Sequence, residues 1–134
     1  MAKITKPTKI SGKVTPFEGN GRGFGYPTAN IKVSTDLEEG VYFGYANLDV
    51  YQNQPALIFV GTPITVGAKE HRVEAHLLDI KDQDYYDQPL NLNIEYFHRP
   101  NQRFDSIDDL LKAMKNDEKT AREWFASAKT KPHW

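Results

Sequence analysis

The sequence predicts an antiparallel all-β domain that ends in one amphipathic helix. Short alternating or apolar runs separated by turn residues point to the strands, and a tail whose apolar spacing switches to three and four points to the helix. The length supports a single core: at 134 residues the chain has the size of one ordinary domain, so residues 1–134 are read as one unit.

The first two candidate strands, Lys9 to Thr15 and Thr28 to Val33, are short runs that mix β-branched and polar residues. Val41 to Val50 is longer, and Ala56 to Val60 is a continuous apolar run. Arg72 to Ile80 opens with sharp alternation: Val73, Ala75 and Leu77 fall on one face, and Arg72, Glu74 and His76 on the other. Leu90 to His98 completes the set. Six strands in so short a chain favour a barrel or a sandwich. In the tail, Ile107, Leu110, Leu111, Met114, Ala121, Trp124, Phe125 and Ala128 recur at helical spacing. Asp105 or Ser106 is the expected N-cap, with Asp108 and Asp109 in the first turn, where the helix dipole favours negative charge. The helix is expected to pack on the β domain as a lid.

Composition removes several function classes. Lysine and arginine total 17 against 18 acids, so no overall basic field favours nucleic acid or anionic lipid. The chain has no cysteine, which excludes disulfides and thiolate metal sites. The longest apolar run after the amino terminus, Ala56 to Val60, is far below membrane-spanning length, and a cytosolic protein is expected.

The chemistry concentrates between Gly19 and Asn30, where four alternate glycines, Gly19, Gly21, Gly23 and Gly25, run into Pro27-Thr28-Ala29-Asn30. Consecutive N–H groups in such a run can curl into a nest for phosphate oxygens. Pro27 suits the first position of a strand, where no ladder bond is lost. Thr28 and Asn30, at spacing two, share a face, and their oxygens suit Mg²⁺ and phosphate together. Arg22, at the loop centre, adds a cation. The bland alternative is a hairpin loop. The Walker, dinucleotide-binding and protein-kinase signatures are all missing, so any phosphate cradle here is of another kind.

Four segments in order resemble the motifs of the riboflavin kinase family. They are Gly19 to Asn30, Gly40-Val41-Tyr42-Phe43-Gly44, Val73-Glu74-Ala75-His76-Leu77-Leu78-Asp79, and Arg99-Pro100-Asn101-Gln102-Arg103-Phe104-Asp105-Ser106. The resemblance runs from about Lys9 to Phe125. It implies a closed six-stranded antiparallel Greek-key β-barrel with a C-terminal α-helix, and transfer of the ATP γ-phosphate to the riboflavin 5′-hydroxyl. By that resemblance Glu74 is the catalytic base, and Gly19, Gly21, Arg22, Gly23, Gly25, Pro27, Thr28 and Asn30 bind the nucleotide. Thr28 and Asn30 hold the metal, expected to be Mg²⁺ with Zn²⁺ or Mn²⁺ as alternatives, and Arg99 and Phe104 lie against the flavin. The expected partners are riboflavin and ATP, with FMN and ADP as products, no nucleic acid or membrane, and a monomeric protein.

One stretch departs from the family. The usual bacterial Gly-Thr-Arg-Pro-Thr appears here as Gly61-Thr62-Pro63-Ile64-Thr65, which removes an arginine. Nothing in the sequence supplies the adenylyltransferase domain common in bacterial relatives, so the expected product is FMN rather than FAD. A non-catalytic flavin- or nucleotide-binding homologue is the alternative reading. A small barrel binding single-stranded nucleic acid on aromatic platforms is a third, disfavoured by the charge balance.

Overall fold

A computed structural model of the chain describes residues 8–15, 29–32, 35, 37–61, 72–80, 85–102 and 104–128. In chain order these residues form β1 (Thr8–Lys13), β2 (Ala29–Ile31), β3 (Gly40–Leu48), β4 (Tyr51–Gly61), β5 (Arg72–Leu77), β6 (Pro89–Pro100) and α1 (Ile107–Ala128). All strand pairs are antiparallel, and the sheet order is β1-β6-β3-β4-β5-β2. Strands β3, β4 and β5 follow one another in space, and β6 returns to lie beside β3, which is the Greek-key arrangement.

The expected closed barrel is not formed. The sheet is an open half-barrel: among the described residues its two edges are linked by an isolated bridge between Val14, just beyond β1, and Ile31 on β2. Among the described residues, three of β2 join the sheet, all paired to β5, and just beyond β1 the Val14 N–H carries the pairing with the β6 side on to the Gln88 carbonyl at 2.9 Å. One backbone bond, from Thr15 N–H to the Asn30 carbonyl at 2.8 Å, supplements the bridge.

Strand ends follow turn chemistry. Leu48 pairs with Tyr51, so Asp49 and Val50 form a two-residue turn, and Asp49 takes a φ of 54°, a region that aspartate tolerates. The polar run before Ala56 thus belongs to β4. Leu78 and Asp79 likewise end β5, with Asp79 at φ 63°.

The two faces of the sheet have different roles. Ile10, Ile31, Tyr42, Leu48, Ile58, Val73, Leu77, Leu92 and Ile94 fill the inner face and form the main core. On the outer face α1 lays Ala121, Trp124 and Phe125 against Phe43, Tyr45, Leu57 and Leu78. Phe43, fully buried, stacks on Tyr96 and His98 and meets both Trp124 and Phe125. Ser106 is the residue that caps α1, its Oγ accepting the Asp109 N–H at 3.1 Å. Gly44 lets β3 and β6 approach where their register shifts, since a Cβ there would lie 2.2 Å from the Asn93 carbonyl oxygen.

Candidate functional site

Strand register gathers Asn30, Glu74 and Arg99 into one row. Asn30 pairs with Glu74 across β2 and β5, Glu74 with Phe59 on β4, Phe59 with Val41 on β3, and Val41 with Arg99 on β6. Directly opposed residues of antiparallel strands project to the same side, so this row lies on the outer face that also carries α1. Val73 and Ala75, flanking Glu74, point into the core. At about 4.8 Å between strands, roughly 14 Å separates the Glu74 and Arg99 positions, and Phe59 and Val41 occupy the interval.

At one end of the row sits the Asn30–Glu74 pair. The Glu74 side chain keeps 21% exposure, and burial pushes its carboxyl above the ordinary carboxylate range while nearby Arg72 pulls it down. The Arg72 guanidinium lies 3.7 Å from Glu74 Oε1 and is itself buried. Its register partner is Gly61, at a φ of 144°, where a Cβ would lie 2.5 Å from Glu39 Oε1. Asn30 is 5% exposed, and its Oδ1 has no hydrogen-bond partner among the described residues. A buried amide oxygen without a partner is costly, on the order of 1–3 kcal/mol, unless a ligand satisfies it.

An orphaned hard oxygen beside a carboxylate fits a divalent cation. Among the described residues no group of three or more His, Cys, Asp or Glu forms a metal cage. His76, two residues beyond Glu74 on the same face, is neutral at pH 7, because burial pushes its imidazole down to about 4.

At the other end, Arg99 is held from behind. Its Nε and Nη2 donate to the two carboxylate oxygens of Asp117 on α1, at 2.9 and 2.8 Å. The His98 ring nitrogen Nε2 lies 3.1 Å from the same carboxylate, which is nearly inaccessible to solvent. The Arg99 guanidinium also stands over the Phe104 ring, 5.6 Å from its centroid. A register shift in β6 between Phe97 and Arg99 places His98 and Arg99 together toward the helix.

Of the residues singled out in the sequence, Asn30 and Glu74 come together, and Arg99 joins Phe104 further along the same face. Gly19, Gly21, Arg22, Gly23, Gly25, Pro27 and Thr28 lie outside the described residues, as do Thr62 to Thr65. Sequence reasoning missed Asp117, Arg72 and Phe59. For Asp117 a signal existed: an acid stands four residues before Ala121 and seven before Trp124, inside the apolar stripe of the helix.

The family model for riboflavin kinase matches residues 4–125. A bifunctional riboflavin kinase/FMN adenylyltransferase of Escherichia coli is 34% identical over 92% of the chain, and the chain spans only 40% of that relative. A riboflavin kinase of Pyricularia oryzae is 30% identical, covering 87% of the chain and 70% of the relative. Among solved structures, a Streptococcus pneumoniae protein titled as a macrolide-efflux protein superposes with a TM-score of 0.73 at 30% identity, over 88% of this chain and 39% of its own. That title names transport; among the described residues here, no helix is long and apolar enough to cross a membrane.

Proposed function

The chain belongs to the riboflavin kinase family, and from that premise we propose that it transfers the γ-phosphoryl group of ATP to the 5′-hydroxyl of riboflavin, with Glu74 as the base. The observation that carries the assignment to particular residues is the Asn30–Glu74 register pair, which joins a buried, unsatisfied amide oxygen to a desolvated carboxylate.

Glu74 accepts the proton of the 5′-hydroxyl as that oxygen forms its bond to the γ-phosphorus. The bond from the γ-phosphorus to the bridging oxygen breaks, and ADP leaves. A carboxylate raised above its ordinary range is a stronger base while it remains ionised, and the Arg72 guanidinium works to keep it so. Asn30 Oδ1, with Thr28, would hold Mg²⁺. When bound, the cation neutralises charge on the phosphoryl group in flight.

The remaining parts of the reading follow the row. The glycine run from Gly19 to Gly25, with Arg22 and Pro27, receives the ATP phosphates. Phe59, half-buried on the row between Glu74 and Arg99, offers an apolar surface for the flavin, and Phe104 flanks its far end. A planar ring of about that reach needs such a surface with few polar contacts.

The test is incubation of the purified chain with riboflavin and Mg-ATP, followed by chromatographic separation of flavins and nucleotides. FMN and ADP are expected in equal amounts. Loss of ATP without FMN, or no conversion, would overturn the proposal.

A further inference from the structure

The helix does more than cover the outer face. Most charges of α1 face solvent, yet Asp117 is buried at 4% exposure and spends both carboxylate oxygens on β6. Burying a carboxylate is expensive unless its partners are charged and well aligned. Here the partners are Arg99 and His98, so the buried charge is directed at the residue that ends the flavin row. With Nε and Nη2 both engaged by Asp117, the guanidinium plane is fixed, and that plane stands over Phe104. Nη1 donates to the Pro100 carbonyl at 3.3 Å, which ties the same group to the start of the segment leading to Phe104.

We propose that Asp117 is a positioning residue of the flavin site: through its two-pronged hold on Arg99 it sets the guanidinium and the Phe104 ring against which riboflavin packs, making α1 part of the recognition apparatus. This rests on the reading that Arg99 and Phe104 contact the flavin. A second anchor of α1 gives the necessary control. Arg122 pairs with Asp79 at 2.9 and 3.0 Å near the end of β5, on the exposed side of the helix and apart from Arg99.

The experiment measures riboflavin binding to the full chain by quenching of flavin fluorescence, alongside the KM for Mg-ATP, in the parent and in Asp117→Asn, Asp117→Glu and Asp79→Asn. Asp117→Asn is expected to weaken riboflavin binding roughly ten- to a hundredfold, the range for losing an orienting partner behind a contact residue, while the KM for Mg-ATP holds. Asp117→Glu, which keeps the charge, should recover part of the loss, and it carries the comparison if the asparagine variant does not fold. Asp79→Asn should bind riboflavin as the parent does. Equal loss in Asp79→Asn would show that general loosening of the helix is responsible and would overturn the proposal. Unchanged riboflavin affinity in folded Asp117 variants would also overturn it, while leaving the kinase reading intact. A parent chain that neither binds nor phosphorylates riboflavin would remove both.

Discussion

At the scale of single residues, the site is a set of groups held in environments that cost stability. Asn30 carries a buried oxygen with no hydrogen-bond partner among the described residues, and replacing it with leucine should relieve that cost while removing the proposed metal ligand. The Asn30→Leu variant is therefore expected to need several-fold more Mg²⁺ for half-maximal turnover; an unchanged Mg²⁺ titration would count against the ligand role. His76 gives a prediction about pH. Its folded value of about 4 lies below the ordinary 6.5, so the unfolded chain takes up the proton first. Its contribution is fully present above about pH 6.5 and is lost as pH falls toward 4, amounting to about 3 kcal/mol when complete. Denaturant titrations of the parent and His76→Gln across that range should show a steeper acid loss in the parent, and parallel curves would refute the assignment. The shared face of Glu74 and His76 was legible in the sequence because strand alternation fixes which side a side chain takes, whereas the role proposed for Glu74 comes from the family resemblance. Asp117 was harder to find: a single acid on a charged helix reads as solvated until the fold brings β6 behind it.

At the scale of elements, each strand is placed by its apolar face and ended by its turn. The run at Ala56 was visible as a strand, but its first five residues were not, because Gln52, Asn53 and Gln54 carry no apolar pattern. They extend β4 because the two-residue turn at Asp49 and Val50 starts the pairing at once. The helix was legible almost entirely, since its stripe matches the outer-face surface made by Phe43, Tyr45 and Leu57. Phe125, 4% exposed, is the deepest aromatic that α1 brings to that contact, touching Phe43, Tyr45 and Trp124. Phe125→Ala should cost about 3–5 kcal/mol, as large-to-small changes in packed cores do. Thermal melting followed by circular dichroism will check this, and a loss under 1 kcal/mol would mean that α1 is not held by its aromatic face.

At the scale of the whole molecule, the sheet brings chemistry from distant parts of the chain into one line. Asn30, Val41, Phe59, Glu74 and Arg99 are far apart in sequence, and only the order β6-β3-β4-β5-β2 makes them neighbours. Strand count and antiparallel pairing were legible in the sequence. Closure was not, because it depends on how many residues pair between the two edges of the sheet, which leaves no pattern in residue type. Opening the sheet on the β1–β2 side leaves the Asn30 end of the row beside the seam, next to the strand that follows the glycine run. The central claim is that the reaction occurs at the Asn30–Glu74 end of this line, with Glu74 taking the proton. The most direct test compares FMN formation by the parent and Glu74→Gln at saturating riboflavin and Mg-ATP. Turnover is predicted to fall by roughly 10²–10⁴, the effect of losing a general base, with the KM for Mg-ATP little changed. A variant that turns over at the parental rate would contradict the account.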